Sequence, residues 1–258
     1  MSAVEVSAHV TGRPDAPFVV LSNSLGSTHR MWDAQLPALE QRFRVVRYDT
    51  RGHGDSPVPV GPYTIDDLAD DLVGVLDRFD IASAHVVGLS LGGLTAMRVA
   101  IRNPERVDAL ALLCTAACFA PPQPWLDRAA TVRADGTRAI ADAILTRWFT
   151  AEYLADERNT DTVAWYRAMI AGTPAEGYAA CCEALATADV RAELGAIKAS
   201  TLAIAGTDDP ATPPDRLVEI VDAVPDGRLE VVGHAAHLAN AQQPQEITPL
   251  LLEHLEHS

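Results

Sequence analysis

Six short apolar runs, separated by stretches of helical period, constrain this chain more than anything else in it. They are 18–21 (FVVL), 43–48 (FRVVRY), 84–89 (AHVVGL), 107–113 (VDALALL), 201–205 (TLAIA) and 228–232 (RLEVV). The runs are nearly continuous in apolar residues instead of alternating, so each predicted strand needs both faces covered. Amphipathic patterns over 64–79, 91–102, 214–224 and 245–254 supply the cover. Strand, helix, strand in this order predicts an α/β fold with a mostly parallel central sheet flanked by helices. With 258 residues, 48% of them hydrophobic, the chain can bury one large core.

The rhythm breaks once. From about Pro121 to Leu194 no strand is legible, only helical segments such as TRAIADAILTRWF, TVAWYRAMI and AEGYAACCEALA. This predicts a helical cap, 121–194, inserted before the penultimate strand of a core formed by 1–120 and 195–258.

Charge narrows the partners. A formal net charge of -15, spread along the chain, disfavours nucleic-acid backbones and anionic membrane surfaces. The longest apolar run, 109–120, is too short to span a bilayer. The start, MSAVEVSAHV, lacks the basic and apolar regions of an export signal, so a soluble, cytoplasmic protein is expected. Cys114, Cys118, Cys181 and Cys182 show neither zinc nor redox spacing and read as small buried residues.

The predicted strand 84–89 runs into Gly88-Leu89-Ser90-Leu91-Gly92, directly before a helical pattern. A serine on such a strand-to-helix turn sits in a strained conformation, and glycines two residues to either side let the elements pass closely. The turn lifts the hydroxyl over the carboxyl ends of the strands, and the following helix aims its first amides at developing negative charge. With this motif in its proper context, the chain resembles an α/β-hydrolase over essentially its whole length.

The resemblance implies the chain order nucleophile, acid, histidine. His9, His29, His53 and His85 precede Ser90, and His254 and His257 lie at the far end. Two candidates remain, His234 and His237. The run HLANAQQP, 237–244, matches the hydrolase spacing from histidine to a helix-opening proline and favours His237, although glutamines stand where many relatives carry a glutamate. After TLAIA, GTDDP offers Asp208 and Asp209, and the glycine-plus-three spacing favours Asp209 as the acid, with Asp208 as a turn residue. The other common acid position, after 107–113, holds Cys114 and Thr115 and offers no carboxylate. The oxyanion hole is expected from the backbone amides of Leu91 and Ser24, the latter in SNSLGS where many hydrolases carry His-Gly. Arg51 and His53, in DTRGHGDS, read as structural support beneath the site.

Further segments resemble the 3-oxoadipate enol-lactonases: LSNSLG (21–26), RMWD (30–33), FRVVRYDTRGHGDS (43–56), GPYT (61–64), GLSLGG (88–93) and AILTRWF (143–149). This resemblance implies opening of a small anionic lactone through an acyl-enzyme on Ser90, with no metal and no cofactor. The substrate carboxylate would need a cation in a protein of strongly negative charge. Arg147, beside Trp148, is the first choice among seven arginines at 128, 133, 138, 147, 158, 167 and 191. Trp148, and with it Trp125 and Trp165, are candidate pocket walls. A general carboxylesterase or carbon–carbon bond hydrolase of the same fold is the alternative reading. A cofactor-free oxygenase and a non-enzymatic receptor rank below it, and a dehalogenase is excluded by serine at position 90. Oligomeric state, monomer or homodimer, stays open.

Overall fold

The computed structural model describes residues 3–257. Its strands are β1 Ala8–Gly12, β2 Phe18–Ser22, β3 Arg44–Tyr48, β4 Ala84–Leu89, β5 Val107–Leu113, β6 Ser200–Gly206 and β7 Gly227–Val232. They form one sheet in the order β1-β3-β2-β4-β5-β6-β7. Every neighbouring pair is parallel except β1 with β3. The edge strand β1 (AHVTG) was not anticipated. It is only partly buried and carries no apolar run, so its place is set by backbone pairing with β3.

Central strands behave as their composition demands: all six residues of β4 are buried, which requires helices on both faces. Helix Ile65–Arg78 begins with a reciprocal cap, in which Thr64 Oγ1 accepts from the Asp67 N–H and Asp67 Oδ2 accepts from the Thr64 N–H. It packs against helix Leu91–Arg102, which also lies on β2, β4 and β5. Pro214–Ala223 covers β6 and β7, and Pro244–Glu256 packs on β5.

The chain passes from β2 to β3 on one side of β2 and returns with β4 on the other. That reversal leaves a crevice at the carboxyl ends of β2 and β4, where Ser22 lies in register with Gly88.

Between β5 and β6 run the helices Gln123–Asp135, Ala141–Trp148, Ala151–Ala155, Thr160–Gly172 and Ala175–Thr187. Gln123–Asp135 packs along Ala175–Thr187, and Ala141–Trp148 packs on Thr160–Gly172. Ala175–Thr187 meets the loop after β3 backbone to backbone. A Cβ on Gly177 would lie 2.1 Å from the Gly52 carbonyl oxygen, so both positions must be glycine for the helix to dock there. All four cysteines are buried and free. Among the described residues no helix is long and apolar enough to cross a membrane.

Candidate active site

Ser90 sits at φ 57° and ψ −117°, a region that costs a non-glycine residue conformational energy. Its surroundings hold it there. The Ser90 N–H donates to Leu113 O at 3.0 Å, and its carbonyl accepts from the Leu94 N–H and, at 2.7 Å, from the Thr115 hydroxyl. Thr115, at the other common acid position, props the turn instead. A Cβ on Gly92 would lie 2.3 Å from Ser22 O, and one on Gly88 would lie 2.3 Å from Gly92 O, so the turn closes only with glycines.

The β6 and β7 loops bring Asp209 and His237 together. Asp209 Oδ2 accepts from His237 Nδ1 at 2.8 Å and from the Thr212 hydroxyl at 2.6 Å. Its Oδ1 accepts from the N–H groups of Ala211 and Thr212. Burial pushes the Asp209 carboxyl up, but the His237 imidazole and the Thr212 donors outweigh it, holding the group below the ordinary carboxylate value. Asp209 therefore stays an anion and fixes His237 with Nδ1 protonated, leaving Nε2 as the basic nitrogen. Backbone bonds to the inserted helices hold the histidine loop: His237 N–H donates to Arg147 O and Leu238 N–H to Trp148 O. Gln242 bridges the same two segments, donating to Thr150 Oγ1 at 2.8 Å and accepting from the Ala236 N–H at 3.1 Å. A neutral amide serves here because the bridge needs both a donor and an acceptor.

His234 and Asp208, the rejected alternatives, are exposed and line a separate open groove of about 580 Å³ with Glu152 and Asp156. That groove holds neither Ser90 nor His237, and it sets three carboxylates, Glu152, Asp156 and Asp208, against one arginine, Arg158.

The segments named above for their resemblance meet in space. Asn23 Nδ2 donates to Tyr48 O, Asn23 Oδ1 accepts from Trp32 Nε1, and the hydroxyls of Ser22 and Tyr48 lie 2.7 Å apart. NSLG, RMW and RYD are thus parts of one buried hydrogen-bonded frame behind the crevice. The Ser24 N–H, expected to face a reacting carbonyl, instead points at the Met31 sulfur, 3.2 Å away. A thioether is a weak acceptor, so this contact competes poorly with an oxyanion. Leu91 opens the helix behind the serine, where its amide has no carbonyl one turn back to bond.

His53 supports the same loop. Its Nε2 accepts from the Gly26 N–H at 3.0 Å, and Nδ1 donates to Arg51 O at 3.2 Å. Burial lowers its pKa to about 4, against the smaller upward pull of the Arg51 carbonyl and Asp49, so the ring is neutral near pH 7. Arg51 is fully buried and grips Asp71 through two nitrogens, at 2.5 and 2.6 Å. Neither residue lines the cavity over Ser90.

That cavity is lined by Ser24, Leu25, Ser90 and His237 from the sheet side, with Ala211 from the acid loop. The inserted helices contribute Trp125, Arg128, Ile144, Arg147, Trp148 and Tyr178. Arg147 and Trp148 are therefore at the site, as is Trp125, whereas Trp165 lies under the Arg30 guanidinium elsewhere. Arg128, one of the seven candidate arginines but not the first choice, lines the site as well, and sequence reasoning missed the parts played by Tyr178, Met31 and Thr212. Only Thr212, three residues past Asp209, had a local signal, a hydroxyl spaced to bond back to an aspartate.

A serine lodged at a strained turn, lining one cavity with the histidine of a buried carboxylate–imidazole pair at the switch point of a parallel sheet, defines an α/β-type hydrolytic site. Residues 17–244 match the α/β hydrolase fold family, and the chain belongs to that family. Within it the chain is 42% identical to 3-oxoadipate enol-lactonase 2 of Acinetobacter baylyi over 91% of this chain and 86% of that one. The crystal structure of an enol-lactonase from Burkholderia xenovorans superposes with a TM-score of 0.94 at 42% identity, covering 97% of this chain and 96% of that one. A thermophilic esterase from Thermogutta terrifontis, solved with malate bound, gives 0.91 at 29% identity, over 98% and 93% of the two chains.

Proposed function

We propose that the protein hydrolyses the enol-lactone of 3-oxoadipate to the open-chain keto diacid, with Ser90 as nucleophile, His237 as base and Asp209 as its orienting anion. The observation that carries the reading is a cavity over Ser90 and His237 with two arginines, Arg128 and Arg147, in its wall. It is supported by 42% identity to two enol-lactonases, one known by sequence and one by structure. Residues 121–194 act as the cap that supplies those arginines, over a core of 1–120 and 195–258.

In the acylation step Ser90 Oγ attacks the lactone carbonyl while His237 Nε2 takes the hydroxyl proton. The carbonyl oxygen gains negative charge and is met by the amides of Leu91 and Ser24, the latter exchanging its sulfur contact for a stronger acceptor. One such donor contributes about 2.7–4 kcal/mol to the transition state. The ring C–O bond breaks, the departing enolate takes the proton from His237 and tautomerises to the ketone. Water, deprotonated by His237, then releases the acid from Ser90. Arg147 binds the carboxylate that the substrate carries outside the ring.

A second reading, a general carboxylesterase, draws on the 29% identical esterase. Turnover of freshly generated 3-oxoadipate enol-lactone, followed by loss of its ultraviolet absorbance, separates the two when run beside a neutral nitrophenyl ester, with Ser90→Ala as the blank. The proposal expects fast lactone opening and weak ester cleavage; ester cleavage without lactone opening keeps the nucleophile and discards the substrate.

A further inference from the structure

The cavity directly over Ser90 is narrow, with a free volume of about 30 Å³. A second chamber of about 180 Å³ adjoins it and shares four wall residues: Trp125, Arg128, Arg147 and Ala211. The rest of its wall is apolar or small, apart from Arg216, and no carboxylate lines it.

Among the described residues, Arg128 and Arg147 line the cavity over Ser90 without a carboxylate partner. Most arginines here have a carboxylate within 4 Å, as Arg98, Arg102, Arg106 and Arg133 do. Neither Arg128 nor Arg147 has one among the described residues. The two share the walls of both cavities, and burial of Arg147, then the nearby Arg128 charge, hold the Arg147 guanidinium below its ordinary value. Arg128 is held over the Trp125 ring, its guanidinium carbon 4.6 Å from the ring centroid. Two adjacent cations without a counterion repel each other, and an anion placed between them removes that penalty while gaining both attractions.

We infer that the side chamber is the carboxylate subsite, and that Arg128 is a second specificity-determining residue which clamps the substrate carboxylate together with Arg147. The inference rests on the proposed function for the identity of the lactone, but not for the clamp itself. The ring lies at Ser90, and the carboxylate reaches through the shared wall into the chamber. The Trp125 face holds the Arg128 fork in place before substrate arrives. Arg216, which has Glu219 3.8 Å away, adds a third guanidinium to the chamber wall.

The test compares two enol-lactones that share one ring. One carries the carboxymethyl group of the 3-oxoadipate lactone; the other, α-angelica lactone, has a methyl group in its place. Arg128→Gln is expected to lower kcat/KM for the carboxylate lactone at least tenfold more than for α-angelica lactone, chiefly through KM. Adipate, a six-carbon dicarboxylate, is expected to raise the Tm of the wild-type protein and to raise that of Arg128→Gln much less. An equal loss on both lactones, or no loss on either, overturns the clamp. If the wild-type protein opens α-angelica lactone but not the carboxylate lactone, and adipate still distinguishes wild type from Arg128→Gln, the substrate assignment fails and the clamp stands. An equal adipate shift in both proteins overturns the clamp whatever the substrate.

Discussion

Asp209 does two things that one substitution separates. Its charge orients and stabilises His237, while Oδ1 closes the turn by accepting from Ala211 and Thr212. Asp209→Asn keeps an oxygen for the turn but presents an amide donor to His237 Nδ1. The proton then moves to Nε2, and the ring can no longer act as a base toward Ser90. The expected outcome is a loss of kcat of about 10⁴-fold with little change in circular dichroism or Tm. A loss under tenfold would show that His237 does not depend on Asp209 for its tautomer. His237 and Asp209 were legible in the sequence because their spacings, to Pro244 and from Gly206, are local. Arg128 was not, since nothing local separates an arginine facing a cavity from one lying on a helix surface.

Among the elements, the docking of helix Ala175–Thr187 on the loop after β3 sets how the inserted helices lie over the crevice. The same helix carries Tyr178, whose ring would be 2.9 Å from a Cβ on Gly26, so it also backs the loop that holds Ser24. Gly177→Ala puts a methyl group into the Gly52 backbone, where no side chain can rotate away. The clash costs about 1–3 kcal/mol and exceeds the gain of up to about 1 kcal/mol from alanine's helix propensity. Gly172→Ala, with nothing within 4 Å of its Cβ, realises only the gain. Thermal melts should therefore move in opposite directions for the two variants, and kcat/KM should fall only for Gly177→Ala. A shift of the same sign in both would mean that the helix does not bear on Gly52. Strand and helix positions were readable from apolar runs, yet this contact was not, because a helix's packing partner leaves no periodic mark in its own sequence.

At the scale of the whole molecule, buried neutral histidines link stability to pH. His53, His85 and His254 are each lowered from the ordinary histidine value, mainly by burial, and His53 reaches about 4. Below pH 6.5 the unfolded chain takes up protons that the folded chain refuses, so stability is full above that pH and falls as pH drops toward 4. Over the same range the net charge of -15 relaxes toward zero near the pI of about 4.8, which eases self-repulsion and opposes the loss. Comparing wild type with His53→Gln cancels the charge effect. The stability advantage of wild type, from urea denaturation, is expected to shrink by about 2.5 kcal/mol between pH 7.5 and 4.5. An advantage independent of pH would mean that folded His53 titrates like a free histidine.

What belongs to the sequence alone is whatever rests on neighbours along the chain. Continuous apolar runs demanded a sheet covered on both faces, and the GLSLG turn demanded a strand before it and a helix behind. Spacing after β6 and β7 picked Asp209 and His237 from their neighbours. The antiparallel edge strand β1, the contact of the Ser24 amide with Met31, the frame joining Asn23 to Trp32 and Tyr48, and the Arg128–Arg147 wall came only with the tertiary structure. Each joins residues through backbone pairing, burial or charge across folded space, and the distance between two side chains is a property that the order of residues does not carry.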